Sequence, residues 1–216
     1  MGSDLITWDI EMNLYKELQD KLSEHNPTEV DELILDDLFE NVTQFTTQNK
    51  KDLEKYSNLI HLSLNGFGLD NLTNFPKLPS LQVLEIRQNN LDGSDFEQLV
   101  DLYPDLYKLK VGENKIKSLD IFKKLADSNI RKIELAETAA TESKDYRNTL
   151  FQMLKNVDIV DNQTRDGEEA SSTIYEEDEG EMGEELDDDE FDGEDEEFEE
   201  YDDEEGEEEE SAGKDK

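Results

Sequence analysis

The apolar positions between residues 30 and 140 recur with a period of 22 to 29 residues. The clearest copy is residues 81–91 (LQVLEIRQNNL), and residues 106–116 (LYKLKVGENKI) repeat it. Both read L-x-x-L-x-L-x-x-N-x-L, and the alternation L-x-L predicts a short strand with two inward-pointing apolar side chains. A recurrence of this length indicates structural units that stack on one another.

Three further segments match the pattern less closely. Residues 59–69 (LIHLSLNGFGL) and 130–140 (IRKIELAETAA) keep most of its apolar positions. A degenerate first copy keeps Val30, Leu33, Leu35 and Leu38. Aligned on the fourth position, the copies predict five strands, which are centred on Leu33, Leu62, Leu84, Leu109 and Ile133.

These copies predict an α/β fold, namely a short right-handed leucine-rich-repeat solenoid of about five repeats. Each coil of such a solenoid buries its apolar face only by stacking on the next coil. Asn89 and Asn114 stand at the ninth position, where we expect an asparagine to turn the chain and bond neighbouring coils. Phe67 and Thr138 occupy this position in two other copies. A helical bundle rich in leucine is the alternative fold.

Both ends of a solenoid must be covered. Residues 1–29 are expected to form a capping helix before the repeats at 30–140, and Asn26-Pro27 would end it. Its apolar residues are Leu5, Trp8, Met12, Tyr15 and Leu18. Residues 141–166 are expected to form a C-terminal cap, with a helix followed by a short strand at 157–161. The apolar face of that helix is Tyr146, Leu150, Phe151 and Leu154.

Side chains alternate along a strand, so the third, fifth and seventh positions of each repeat face away from the leucines. We call these positions the concave face. The residues expected to bind a partner there are Glu85, Arg87, Lys108, Lys110, Lys132 and Glu134. Glu85, Lys110 and Glu134 should form a ladder of alternating sign, whereas Lys108 and Lys132 should be adjacent like charges. The face is either a solvated charged sheet or a surface that docks a partner or the chain's own acidic tail.

Charge is distributed very unevenly along the chain. The net charge is -39, and residues 166–216 hold 30 acidic residues against two lysines, a net of -28. Carboxylates at this density repel one another and leave little apolar surface to bury, so residues 167–216 are expected to be a disordered acidic tail. Such a tail should repel nucleic acids and anionic membranes, and it should attract basic proteins in a salt-dependent way.

Several tail residues are candidates for partner binding or modification. Scattered aromatic side chains could anchor the tail on an apolar patch of a basic protein while the carboxylates pair with its lysines and arginines. These tail candidates are Tyr175, Asp187, Asp188, Asp189, Glu190, Phe191, Phe198 and Tyr201. Ser171, Ser172 and Thr173 lie just before an acidic run and form a candidate target for an acid-directed kinase.

The sequence offers little for catalysis or for a cofactor. It has no cysteine, no Gly-rich phosphate loop, and only two histidines, His25 and His61. Residues 188–199 approach the spacing of a calcium-binding loop, but position 3 of that loop is Glu190 rather than Asp or Asn. No amphipathic helices flank the segment, so weak diffuse binding is favoured. No secretory signal or apolar run of about 20 residues is visible. We therefore expect an intracellular, monomeric, non-enzymatic protein without cofactors.

Four segments carry a resemblance to a known family, the acidic leucine-rich nuclear phosphoprotein 32 family. They are residues 27–33 (PTEVDEL), 75–81 (FPKLPSL), 113–117 (ENKIK) and the segment from Asp145 to Asp161. The resemblance covers roughly residue 14 to the end. Two departures stand out: Lys155 replaces a proline that is usual in the family's cap, and the tail lacks a basic import cluster, since only Lys214 and Lys216 remain.

The resemblance implies histone binding and chaperoning, inhibition of histone acetylation by masking, and inhibition of protein phosphatase 2A. The expected function is therefore a histone-binding chaperone or chromatin regulator. In this hypothesis the acidic tail binds core histones or other basic proteins, and the repeat domain adds selectivity. The alternative is an inhibitor of protein phosphatase 2A that acts through the repeat domain. Location in the nucleus and cytoplasm is expected from the same resemblance.

Overall fold

The computed structural model describes residues 18, 20–23, 26–37 and 43–170. Within the predicted N-terminal cap, residues 18 and 20–23 are helical, and the side chains of Leu18 and Leu22 are buried. The Tyr56 hydroxyl donates a hydrogen bond to the Leu22 carbonyl oxygen at 2.8 Å and so ties this helical segment to the repeats. The other residues named for this helix, Leu5, Trp8, Met12 and Tyr15, lie outside the described residues, as does Leu38 of the first repeat.

Within the described residues, seven short strands form one sheet in which every strand pairs with its neighbours in chain order. Their bounds are β1 Glu32–Ile34, β2 His61–Ser63, β3 Val83–Glu85, β4 Lys108–Lys110, β5 Lys132–Glu134, β6 Ile159–Val160 and β7 Gln163–Thr164. Strands β1 to β6 are parallel, and β7 is antiparallel to β6. The five predicted strand centres pair in one row from Leu33 to Ile133. The leucine-rich-repeat fold is therefore confirmed.

Short helical segments lie in the connections between successive parallel strands, except in the described connection between β2 and β3. They are α1 Thr47–Leu53, α2 Gln98–Leu102, α3 Tyr146–Met153, and two 3-10 helices at Leu119–Leu125 and Ala139–Thr141. α1 begins with a reciprocal cap, because the Asn49 amide donates to the Thr46 hydroxyl and the Thr46 amide donates to the Asn49 side chain. This pair satisfies two of the amides that the first turn of a helix leaves without a backbone partner.

The core is a column of apolar side chains contributed by every repeat. The fourth and sixth positions of all five repeats are buried, as the L-x-L pattern predicts. These pairs are Leu33 and Leu35, Leu62 and Leu64, Leu84 and Ile86, Leu109 and Val111, and Ile133 and Leu135. Phe45 fills the space between coils and packs edge-on against Phe67, with ring centroids 5.6 Å apart. Phe67, which occupies the ninth position of its repeat, thus joins the core.

The two asparagines at the ninth position bond the neighbouring coil, as predicted. The Asn114 side-chain oxygen accepts from the Leu91 amide at 3.0 Å, and its NH₂ group donates to the Ile86 carbonyl oxygen at 2.8 Å. Asn89 makes the equivalent bonds to Leu69 and Leu64 one coil earlier. Thr138 has no side-chain amide, but its hydroxyl donates a hydrogen bond to the Leu135 carbonyl oxygen at 3.0 Å. The ninth position therefore satisfies backbone groups that the turn buries.

The residue after the seventh position is left-handed in every repeat. The φ angles are 51° at Asp37, 67° at Gly66, 54° at Gln88, 57° at Glu113 and 60° at Glu137. Of these five residues, only Gly66 predicts this conformation from the sequence, since glycine adopts positive φ without a steric penalty. The other four turns combine ordinary side chains with a sparsely populated backbone region, and the regular coil geometry holds them there.

The C-terminal cap consists of α3 and the hairpin of β6 and β7. The Asp161 carboxylate accepts from the Leu135 and Ala136 amides at 2.8 and 3.1 Å and from the Tyr146 hydroxyl at 2.7 Å. The Arg165 guanidinium lies over the Phe151 ring at 5.0 Å and donates to the carbonyl oxygens of Phe151 and Leu154. These contacts fix the end of the sheet.

The described structure continues beyond the predicted last strand. The Thr164 amide donates to the Glu168 carbonyl oxygen at 2.9 Å, and the Ala170 amide donates to the Asn162 carbonyl oxygen at 2.9 Å. The first acidic residues after Arg165 therefore belong to a hydrogen-bonded turn. Within the described ranges, no helix is both long enough and apolar enough to cross a membrane.

Candidate protein-binding face

The concave face carries a connected polar network in its first four strands. Glu85 lies at the centre of this network, and its carboxylate contacts the Lys110 ammonium at 2.9 Å and the His61 Nε2 atom at 3.1 Å. Asn65 donates to the same carboxylate at 3.3 Å. Burial would raise the pKa of Glu85, but the hydrogen bonds from His61 and Lys110 outweigh this effect and lower the pKa to about 2.

His61 bridges two carboxylates that belong to the neighbouring strands. Its Nδ1 atom lies 2.8 Å from the Glu32 carboxylate, and its Nε2 atom contacts Glu85. The hydrogen bond to Glu85 is the largest influence on the pKa of His61; it raises the pKa above the ordinary value, against the lowering effect of burial. The sequence places His61 and Glu32 on this face but did not reveal that the imidazole would link Glu32 to Glu85.

A second set of bonds fixes the seventh positions. The Asp36 carboxylate accepts from the Asn65 amide at 2.9 Å, and the Asn65 side-chain oxygen accepts from the Arg87 amide at 2.8 Å. The Arg87 guanidinium then pairs with Glu113 at 3.0 Å, and Gln88 donates to the other oxygen of Glu113 at 2.8 Å. Side chains from four successive repeats are thereby held in place before any partner binds.

The lysines of the concave face lie in its last two repeats. Lys108 is directly opposite Lys132, and Lys110 is opposite both Glu85 and Glu134, which is the predicted register. Burial and the neighbouring ammonium of Lys110 lower the pKa of Lys108. Lys132 is only 6% exposed, and its ammonium lies 5.7 Å from the centre of the Tyr107 ring. Burial thus limits how far Lys132 can act as a solvated docking charge.

A cleft of about 250 Å³ opens at the end of the concave face, between the last two repeats and the C-terminal cap. We call it the end cleft. Its lining residues are Arg87, Gly112, Glu113, Glu134, Ala136, Glu137, Arg147, Asp161 and Asn162. The Arg147 guanidinium lies over the Tyr146 ring at 4.6 Å. Two predicted partner-binding residues, Arg87 and Glu134, therefore share this cleft with cap residues that the repeat pattern did not single out.

Two curated relatives share most of the chain. The acidic leucine-rich nuclear phosphoprotein 32-related protein 1 of Caenorhabditis elegans is 34% identical over 171 residues, which are 78% of this chain and 70% of the relative. The chain belongs to the acidic leucine-rich nuclear phosphoprotein 32 family. An acidic leucine-rich nuclear phosphoprotein 32-related protein of Plasmodium falciparum is 30% identical over 168 residues, which are 74% of this chain and 59% of that protein.

The match to the Plasmodium member of the acidic leucine-rich nuclear phosphoprotein 32 family spans less than two thirds of that protein's own length. No protein-family model matches the chain. Among solved structures, a chain of the Drosophila melanogaster SNF/U2A' complex aligns with a TM-score of 0.48 and 18% identity over 66% of this chain and 75% of that chain. An internalin of Listeria monocytogenes aligns with a TM-score of 0.44 and 15% identity over 70% of this chain and 56% of that chain. The repeat geometry itself establishes the fold of this family member.

The predicted sites of the acidic tail lie outside the described residues. They are Ser171, Ser172, Thr173, Tyr175, Asp187, Asp188, Asp189, Glu190, Phe191, Phe198 and Tyr201. The calcium-loop candidate at 188–199 and His25 also lie outside this part of the chain. Within the described part, no group of three or more His, Asp or Glu side chains could hold a metal ion. The concave face of this family member presents mainly polar and charged side chains within the described residues.

Proposed function

We propose that this protein is a nuclear histone-binding chaperone or chromatin regulator. The acidic tail supplies the attraction for basic proteins, and the repeat domain adds selectivity. The observation that carries the proposal is the charge distribution: a net of -28 lies in the last 51 residues, out of -39 in the whole chain. A local excess of this size raises the association rate with polycationic proteins and makes their binding depend steeply on salt.

The repeat domain supports the second half of the proposal. Polyanionic attraction discriminates poorly between basic proteins, so selectivity requires a surface of defined shape. The concave face offers one, because its side chains are already fixed by the bonds among Glu85, His61, Asn65 and Arg87. Preorganised side chains lose less conformational freedom when a partner binds. Both relatives are named as nuclear phosphoproteins, which supports action in the nucleus.

A pull-down of core histones with intact and tail-deleted protein tests the proposal. The deletion should begin at residue 171, because the Ala170 amide still bonds Asn162 and a cut at Gly167 would remove part of the hairpin turn. A matched control replaces the same residues with an uncharged Gly/Ser segment of equal length. We expect histone capture by the intact protein at low salt, a steep loss at high salt, and almost no capture by either tail variant. Capture that survives both tail changes and ignores salt would contradict the proposed mechanism.

The alternative, inhibition of protein phosphatase 2A, assigns the main interaction to the repeat domain. Two observations support this alternative. The chain belongs to the family, and the repeat domain presents a polar concave face that is fixed by hydrogen bonds among its own side chains. The same two tail variants separate the alternatives. Phosphatase inhibition that persists without the tail, while histone capture is lost, would place the two activities on different parts of the chain.

A further inference from the structure

The end cleft exists because the seventh position changes along the repeats. The first three repeats have Asp36, Asn65 and Arg87 there, whereas the last two have Gly112 and Ala136. These small residues leave the floor of the cleft uncovered. A Cβ atom added at Gly112 would lie 2.9 Å from the Ala136 carbonyl oxygen, so the two coils approach each other closely at this point. The cleft is thus formed by missing side chains in a closely packed part of the sheet.

The walls of the cleft are already held in place. On one side, Arg87 is paired with Glu113 at 3.0 Å. On the other side, Asp161 accepts two backbone amides and the Tyr146 hydroxyl, and Arg147 lies over the Tyr146 ring. A site whose walls are fixed by such bonds is preformed, as binding sites in proteins usually are.

The lining charges favour a cationic occupant. Four carboxylates line the cleft, on Glu113, Glu134, Glu137 and Asp161, against the two guanidinium groups of Arg87 and Arg147, which leaves a net charge of -2. The three donors to Asp161 are neutral, so they orient its carboxylate without cancelling its charge. An anionic occupant would face this excess of carboxylates.

The size of the cleft favours a single side chain. Its volume of about 250 Å³ is below the roughly 300 Å³ at which pockets for small molecules begin. A cleft of this size suits one side chain that projects from an extended segment of a partner. A long basic side chain can place its apolar stem on the Gly112 and Ala136 floor and its charge among the carboxylates.

We propose that the end cleft receives one lysine or arginine side chain of an extended basic segment of the partner. This inference rests on the proposed function and assigns the selectivity of the repeat domain to this cleft. The affinity for the partner should therefore depend on both the charge and the length of this one side chain. The carboxylates attract its charge, and the dimensions of the cleft select its length.

The full-length protein can be tested with a blocked Gly-Gly-Arg-Gly-Gly peptide and the same peptide with citrulline, which is neutral but has nearly the same shape. We expect the NMR signals of the Gly112 amide and the Ala136 methyl group to shift with the arginine peptide and to remain in place with the citrulline peptide. Equal shifts with both peptides, shifts confined to residues 171–216, or shifts with a Gly-Gly-Glu-Gly-Gly peptide would overturn the proposal.

Two substitutions separate filling of the cleft from removal of charge. A136L fills the cleft and should raise the Kd of the arginine peptide about 10-fold, equivalent to about 1.4 kcal/mol. A139L is the matched control, because Ala139 is exposed but does not line the cleft. E137Q keeps the volume and removes one charge, so it should raise the Kd about 2- to 5-fold. Circular dichroism checks that each variant is folded, and unchanged affinity in folded A136L and E137Q would refute the cleft.

Histone capture at an intermediate salt concentration, at which the unaltered protein still captures histones, distinguishes this inference from the proposed function. Screening weakens the tail's attraction there, so A136L should capture less histone than A139L. If both variants capture histones equally and lose capture with the tail, the cleft inference fails and the proposed function stands. If neither the variants nor the unaltered protein captures histones even at low salt, the proposed function fails, and the peptide shifts still decide what the cleft binds.

Discussion

At the scale of single residues, the ninth-position asparagines show how one side chain can satisfy several buried backbone groups. Asn114 is only 7% exposed and bonds the Leu91 amide and three carbonyl oxygens, those of Ile86, Val111 and Gly112. A buried backbone group that loses its partner costs about 1–3 kcal/mol. The asparagine is therefore needed for hydrogen bonding as well as for the turn.

We expect Asn114→Ala to lower the free energy of unfolding by about 3 kcal/mol, because the buried Leu91 amide would lose its acceptor. Chemical denaturation followed by circular dichroism measures the change. Asn156→Ala is the control, since the exposed Asn156 side chain makes one bond, to the Ser128 carbonyl oxygen; its cost should stay below about 1 kcal/mol. Equal costs for the two variants would contradict a special role for the ninth position.

His61 gives the concave face a dependence on pH. Its bonds to Glu85 and Glu32 raise its pKa above the ordinary value of 6.5. The stabilisation from the charged imidazole is therefore fully present below pH 6.5 and is lost as the pH rises through the raised pKa. Glu85 titrates in a separate, acidic pH range, since its pKa is about 2. The stabilisation from its carboxylate is lost only as the pH falls below 4.5 towards that value.

The protein should accordingly lose stability between mildly acidic and mildly alkaline pH, and His61→Gln should flatten this loss. Urea denaturation at several pH values from near 6.5 upwards measures the effect. His25→Gln serves as the control, because it removes the only other histidine of the chain. A pH dependence that disappears in His25→Gln but persists in His61→Gln would show that the Glu32–His61–Glu85 bridge is not responsible.

At the scale of elements, each of the strands β1 to β5 is followed by a left-handed residue. Gly66 adopts φ +67°, and a Cβ atom added there would overlap the Asp37 carboxylate. Gly167 also has positive φ, +82°, but an added Cβ would meet nothing within 4 Å. The two glycines therefore separate the cost of backbone conformation from the cost of crowding.

We expect Gly167→Ala to cost about 1 kcal/mol of stability through the backbone alone, and Gly66→Ala to cost about 2 kcal/mol because crowding is added. Thermal and urea unfolding of both variants measure these costs. If Gly66→Ala costs no more than Gly167→Ala, the Asp37 side chain moves aside freely and crowding contributes nothing.

At the scale of the whole molecule, the repeats stabilise one another through a continuous core. Leu150 of α3 is fully buried in that core and lies in the cap that covers the last repeat. The stability of a solenoid is carried by interfaces between adjacent repeats, so a cavity in the cap exposes the end of the stack.

Leu150→Ala should lower the free energy of unfolding by about 2–5 kcal/mol, whereas Gln152→Ala, an exposed position of the same helix, should change it by less than about 0.5 kcal/mol. Histone capture at low salt should be nearly unchanged in both variants while they remain folded. Denaturation curves and pull-downs measure the two quantities. Capture that falls in parallel with stability would show that the folded domain, and not the tail charge, dominates binding.

The sequence predicts the strands well, because a two-residue alternation within a recurring pattern leaves one register in which all five apolar pairs face inward. This register predicts which apolar pairs are buried, from Leu33 to Leu135, and it predicts that Lys108 lies opposite Lys132. The left-handed turns were predictable only at Gly66. The contacts of Arg165 and Asp161 in the cap could not be predicted, because they join residues that no local pattern links.

The sequence by itself determined the repeat register, the leucine core and the concentration of negative charge in residues 166–216, because each depends on composition or on short-range periodicity. The tertiary structure alone decided that His61 bridges Glu32 and Glu85, that Lys132 is buried, and that an end cleft lies beside the cap. These features depend on how side chains from different repeats meet, and the distances between them are set by the stacking of the coils.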